Sequence, residues 1–166
     1  MSKVTPFIWF KDQAEEAMEY YVSVFPNAKI IDIERYAGDQ GIPGEQELKG
    51  KVLTGIFEIM GQQFMCLDGG PQFELTGAIS FLAEFDEQKE LDAVWEKLMD
   101  GGRPMQCGWI ADKFGVTWQI TPTSLGRMMS DPSATAEQKK ALMQAMMPMV
   151  KLETAKLEAA FEKAKR

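Results

Sequence analysis

Two hydrophobic rhythms succeed one another along this chain, and the succession occurs twice. Residues 4–10, VTPFIWF, make a continuous apolar run of strand length. Asp12 stands where it can cap a helix over about 13–25, and Ala14, Ala17, Met18, Tyr21 and Phe25 then share one helical face. Pro26-Asn27 ends that helix. Residues 29–36, KIIDIERY, alternate, with Ile31 and Ile33 on one side and Asp32 and Glu34 on the other. The glycine-rich stretch 37–50 is long for a hairpin, as expected of a loop that covers a site. Strands follow at 51–60 and 63–68, joined by a tight turn at Gly61-Gln62. Gly69-Gly70-Pro71 closes the unit.

The same order returns downstream. Residues 78–86, AISFLAEFD, read as a strand, and Asp86 is placed to cap a helix whose apolar face is Leu91, Val94, Trp95 and Leu98. Gly101-Gly102 stops it, and short strands are expected near 103–107, 108–112 and 115–121. FIWFKDQAEEAMEYY (7–21) overlays FLAEFDEQKELDAVW (81–95), and GQQFMC (61–66) overlays GVTWQI (115–120). The pattern is therefore β-α-β-β-β repeated, an α+β fold whose two modules, 1–76 and 77–122, can pair their sheets into a curved cup. A helical extension fills 123–166. A short turn of helix is expected at Leu125–Met129, with longer helices at 135–147 and 151–165 separated by Pro148. Leu157, Ala160, Phe161 and Ala164 form one apolar stripe there, and Met143, Met146 and Met147 form another, suited to core packing, a lid or a dimer seam.

Charge narrows the function classes. The chain carries a net charge of −7, which argues against a nucleic-acid partner. Residues 136–166 nevertheless hold seven Lys/Arg against four Asp/Glu, either a docking tail or a solvated helix surface. No apolar run approaches membrane-spanning length, and MSKVTPFIWF lacks a secretory pattern, so the expected location is the cytosol. Cys66 and Cys107 form no C-x-x-C pair. There is no histidine at all, so neither thiol has an imidazole to activate it, and Ser-His and Cys-His catalysis are excluded.

Three stretches carry a family resemblance: YYVSVFPNAKI (20–30), LDGGPQFEL (67–75) and CGWIADKFGVTWQITP (107–122). Together they resemble the PhnB-like family, often labelled 3-demethylubiquinone-9 3-methyltransferase, within the vicinal oxygen chelate superfamily of glyoxalases, bleomycin-resistance proteins and extradiol dioxygenases. The most specific part is D-x-x-G-x-x-W-Q-I, Asp112 to Ile120. The resemblance implies paired βαβββ modules and a homodimer, but no particular activity, since this architecture hosts many.

The resemblance also implies where chemistry would sit. Metal-chelating members of the superfamily draw ligands from the first and last strands of each module. Those positions fall here near Pro6, Met65, Ser80 and Gln119. Pro6 cannot ligate, Met65 is soft, and Ser80 and Gln119 are weak neutral donors, so no metal or other cofactor is expected. Relatives often read G-G-P-H-F where this chain has Gln72, which cannot take up a proton near neutral pH. The methyltransferase label lacks sequence support, for no G-x-G-x-G follows a strand and opens a helix. Binding has more behind it. Trp9, Tyr36, Phe57, Phe64, Phe73, Trp109 and Trp118 lie on or beside the proposed strands, with Asp68, Gln72 and Gln119 among them. An aromatic concavity with few polar groups suits a small, flat or amphipathic organic ligand. The alternatives are a metal-independent isomerase or lyase, the labelled methyltransferase, or a partner-binding protein that uses its methionine-rich tail.

Overall fold

The computed structural model describes residues 2–164 and divides the chain into two units, one running to Leu75 and one beginning at Thr76. The first contains β1 (Phe7–Phe10), α1 (Ala14–Val24), β2 (Lys29–Arg35), α2 (Glu45–Leu48), β3 (Val52–Ile59) and β4 (Gln62–Asp68). Its sheet runs β1-β4-β3-β2, with β1 parallel to β4 and the other pairs antiparallel. The predicted face of α1 is buried, and it covers the side of the sheet that bears Phe57, Phe64 and Cys66. We call this side the near face and the opposite side the far face. Tyr21 of the helix stacks on Phe57 at 5.8 Å, and Phe57 stacks on Phe64 at 5.3 Å. Gly55 lets the helix settle, since a Cβ there would stand 2.7 Å from both Cys66 Sγ and Met18 Sδ.

The second unit contains β5 (Phe81–Phe85), α3 (Gln88–Met99), β6 (Arg103–Pro104), β7 (Trp109–Ala111), β8 (Thr117–Pro122), α4 (Thr123–Ser130), α5 (Ala136–Met146) and α6 (Thr154–Lys163). Its sheet order, β5-β8-β7-β6, repeats the topology of the first, again with the outer β5 parallel to its neighbour. Leu91, Val94, Trp95 and Leu98 are buried, as the helical spacing requires. The α+β architecture with duplicated modules and C-terminal helices is therefore observed.

Local details depart from expectation in instructive ways. Neither Asp12 nor Asp86 caps its helix: the N-cap residues are Gln13 and Glu87, and neither provides a side-chain cap bond. β2 carries a bulge between Ile30 and Asp32, which takes Ile31 out of the ladder and leaves it exposed. Ile30 and Ile33 face the near side instead, opposite Phe57 and Gly55. The β3–β4 turn is Met60-Gly61, one residue earlier than Gly61-Gln62. Both residues have positive φ (49° and 85°), the signature of a two-residue type I′ hairpin. Loop 37–50 is internally tied, because the buried Glu45 carboxylate accepts the backbone N–H groups of Gln40, Gly41 and Ile42 at 3.0–3.2 Å.

The C-terminal helices build a core of their own from Leu142, Leu152, Leu157 and Phe161, with Met128, Met146 and Met149 packed against it. The expected methionine stripe splits, for Met143 and Met146 are half-buried while Met147 is exposed. Thr135 and Gln138 form a capping box at the start of α5. The segment between α5 and α6 is fastened to the rest of the second unit by its backbone: Cys107 and Gly108 donate to the carbonyls of Met149 and Val150 at 2.7 and 2.8 Å. Gln88 adds a side-chain clamp, accepting from the N–H and hydroxyl of Thr154. Asp92 pairs with Lys151 at 2.7 Å, which holds the Asp92 carboxyl below its usual range.

Candidate functional site

Strand register sorts the predicted site residues by face. In the first unit, Phe7 pairs with Met65 and Trp9 with Leu67. Paired residues share a face, so these four project from the far face, together with Thr54, Ile56 and Glu58 of β3. Trp9 is fixed there. Its Nε1 donates to the Gly70 carbonyl at 2.9 Å, and its ring meets Phe73 edge-to-face at 5.1 Å. Gly69 makes the arrangement possible, because any Cβ at that position would overlap the indole. Phe73 is 67% exposed and Gln72 is exposed beside it. Trp9, Gln72 and Phe73 thus gather at one end of the far face, around the Gly69-Gly70 turn.

In the second unit, Gln119 and Trp109 are direct cross-strand partners, and both are half-buried. Gln119 Nε2 donates to Ser80 Oγ at 2.8 Å, which puts Ser80 on the same side. That bond occupies two of the four positions suggested for superfamily ligands. The duplication is slipped by one residue at the others. Phe7 stands opposite Met65, whereas Leu82 stands opposite Gln119, so Ser80 corresponds to Thr5 and Pro6 to Phe81. Three residues separate β1 from α1, but only two separate β5 from α3. That single extra residue explains why the helices match in one overlay and the strands in another. Thr5 and Met65 in the first unit offer a hydroxyl and a thioether, and Ser80 and Gln119 in the second a hydroxyl and an amide; neither pair suits zinc, iron or manganese. Among the described residues, no three His, Cys, Asp or Glu side chains converge on a possible ion.

Four expected ligand contacts lie elsewhere. Phe57 is buried on the near face beneath α1. Trp118 is also buried, and its Nε1 donates to Asp112 Oδ2 at 2.9 Å. Tyr36 is buried at the base of loop 37–50, where its backbone pairs with Gly50 and Lys51. Burial, with the Asp68 charge behind it, raises the Tyr36 hydroxyl's pKa. Asp68 itself is 1% exposed and works inside the fold, with Oδ1 accepting the Ala14 N–H at 2.8 Å and Oδ2 the Val52 N–H at 3.0 Å. It is the missing cap of α1, delivered from 54 residues away. Conversely, Asp32 and Glu34 reach the far face opposite Ile56 and Thr54. Alternation sets them opposite Ile31 and Ile33, and the bulge removes Ile31 from that pattern while Ile33 keeps its place.

The model of the family described as 3-demethylubiquinone-9 3-methyltransferase matches residues 2–121. The chain belongs to this family. Among solved structures, the PhnB protein from Bacillus cereus is 35% identical, with a TM-score of 0.65 over 74% of this chain and 100% of that one. A Pseudomonas aeruginosa protein is 19% identical, with a TM-score of 0.62 over 74% of this chain and 98% of that one. The fosfomycin resistance protein FosX from Listeria monocytogenes is 14% identical, with a TM-score of 0.55 over 78% of this chain and 97% of that one, a likeness of fold alone. No curated protein matches the sequence. The PhnB-like chain thus has the glyoxalase and bleomycin-resistance type of fold, and within the described residues no helix is long and apolar enough to cross a membrane.

The two cysteines of this PhnB-like protein differ in kind. Cys66 is fully buried, and burial, reinforced by the Asp68 charge, pushes its thiol up to about 12. Cys107 is half-exposed, in a left-handed conformation (φ 60°). A disulfide reagent at pH 8 is expected to modify one thiol promptly and the second only on unfolding. Two prompt thiols would contradict the packing of Cys66. The folded thiol keeps its proton to higher pH than an unfolded one, whose ordinary value is 9.0. Its contribution to stability is therefore complete below about pH 9 and declines as the pH rises towards 12.

Proposed function

We propose that this PhnB-like protein binds a small organic molecule on the far face of its sheet, with no metal held at the superfamily positions. The observation that carries this reading is the fixed Trp9 indole, backed by Phe73 and bordered by Leu67, Met65 and Ile56. Rigid rings beside half-buried aliphatic side chains and few polar groups favour a flat, partly apolar ligand. The weak donors at Thr5 and Met65 in the first unit and at Ser80 and Gln119 in the second support the metal-free part. Protein purified without a histidine tag should carry only trace zinc, manganese, nickel and iron. A stoichiometric ion that disappears with Gln119→Ala would overturn this. The Trp9 fluorescence of a variant lacking the other three tryptophans should respond to apolar aromatic probes, and an absence of response across a broad panel would remove the binding reading.

The family description favours a second reading, methyl transfer. It is tested by calorimetry with S-adenosylmethionine, where the expected result is no heat at micromolar concentrations and saturable binding would reverse the preference. We also propose that the protein is a homodimer of the cytosol, on the strength of the family resemblance. Sedimentation at the mass of a single chain would refute the dimer.

A further inference from the structure

The far face of the first unit is graded along the direction perpendicular to its strands. Two rows of side chains cross it. In one, Trp9 pairs with Leu67 and Thr54 with Glu34, Leu67 and Thr54 each lying one residue beyond the last β3–β4 pair, Cys66 with Gly55; the other runs Phe7, Met65, Ile56, Asp32. Each begins with an aromatic ring on β1, passes over mainly aliphatic side chains, and ends with a carboxylate on β2. The bulge at Ile31 produces this ending, since it restores Asp32 and Glu34 to the far side. A third row ends in Lys29, whose charge is taken up by Glu58 at 3.3 Å, and Lys3 donates to Gln63 of the same row. Asp32 and Glu34 have no ion-pair partner among the described residues. Three strand spacings of about 4.8 Å place the carboxylates roughly 14 Å from the rings.

Resting on the ligand-binding reading above, we propose that the ligand is an elongated amphiphilic cation: an aromatic group held against Trp9 and Phe73, an aliphatic stretch over Met65, Leu67 and Ile56, and an ammonium-type charge at Asp32 and Glu34. An anion of the same shape meets two uncompensated carboxylates and is disfavoured. The position of the charge matters as much as its sign, because a cation on a short stem stays over the aliphatic rows.

The test uses three probes on the full-length protein, each a 1-naphthyl group on a six-carbon chain, ending in an ammonium, a hydroxyl or a carboxylate. The amine is expected to bind at least tenfold more tightly than the alcohol, and the carboxylate more weakly than either. The Asp32→Asn, Glu34→Gln double variant changes two exposed side chains. It should bring the amine to within twofold of the alcohol while the alcohol's affinity stays unchanged. The same amine on a two-carbon chain should show no advantage over its alcohol. Equal binding of all three long probes would overturn the charge assignment while leaving the ligand-binding reading intact. An amine preference that survives in the double variant would also overturn it. If none of the three binds at millimolar concentration, and the aromatic panel also gives no response, both readings fall together.

Discussion

Asp68→Ala is expected to destabilise the fold by about 3–4 kcal/mol and to lower the melting temperature by on the order of 10 °C. Its carboxylate is the acceptor for two buried backbone N–H groups, Ala14 at the start of α1 and Val52 at the start of β3. Removing it leaves both donors without a partner where water has no access, and each such loss costs about 1–3 kcal/mol. The same substitution frees the first turn of α1 from the end of β4, so helix and sheet lose their common anchor. Asp68→Asn keeps one acceptor oxygen but sets an amide N–H₂ against a backbone N–H, so a loss of similar sign and smaller size is expected. Urea and thermal unfolding of the two variants measure this directly. Were Asp68 a ligand contact instead, the alanine variant would melt like the parent and lose only affinity. That outcome would refute the structural role.

Asp68 also shows where sequence reasoning succeeds and where it stops. The helices and strands are readable because their periodicities are local, and the buried faces of α1 and α3 consist of the residues their spacing selects. The cap of α1 is not local. Asp12 lies at the expected offset in sequence, but the acceptor comes from β4 through the parallel pairing of β1 with β4, which only the folded topology creates. The site divides along the same line. Trp9 and Phe73 are aromatic and lie at a glycine turn, and the fold brings them together. Phe57 and Trp118 are equally aromatic but point to the helix side, and on a strand one step of register decides which face a ring occupies. The bulge at Ile31 has no marker such as glycine, so the carboxylates it aims at the far face could not be placed from the alternation alone. The one-residue slip between the modules has the same origin. A single extra residue before α1 leaves the helical pattern intact and shifts the strand overlay, which moves the expected ligand position from Pro6 to Thr5.

The stretch from Asp112 to Ile120 leads to the other large effect, and the effect is on stability. Asp112 is 2% exposed and organises the turn between β7 and β8. Oδ1 accepts the N–H groups of Phe114 and Val116 at 2.9 and 3.0 Å, and Oδ2 accepts the Trp118 indole at 2.9 Å. The backbone closes the same turn, with Asp112 donating to Val116 and Gly115 donating to Asp112. Gly115, at φ 94°, supplies the conformation that other residues resist. Asp112→Ala strands three donors at once and is expected to cost about 4 kcal/mol, slightly more than Asp68→Ala. Trp118→Phe removes the indole N–H together with part of a buried ring system, so the lost hydrogen bond and the space left behind should together cost about 2–4 kcal/mol. Because the two side chains share a bond, the double variant should fall short of the sum of the single effects by about 1–2 kcal/mol in a denaturant-based cycle. Full additivity would mean that the Asp112–Trp118 bond does not stabilise the turn. Within the second sheet this turn also acts on the side opposite Trp118. Trp118, held by Asp112, fixes the phase of β8, and that phase turns Gln119 towards Ser80 and Trp109. An Asp112 variant rescued by low temperature should therefore show altered fluorescence from Trp109 as well as from Trp118, whereas a purely local turn would disturb Trp118 alone.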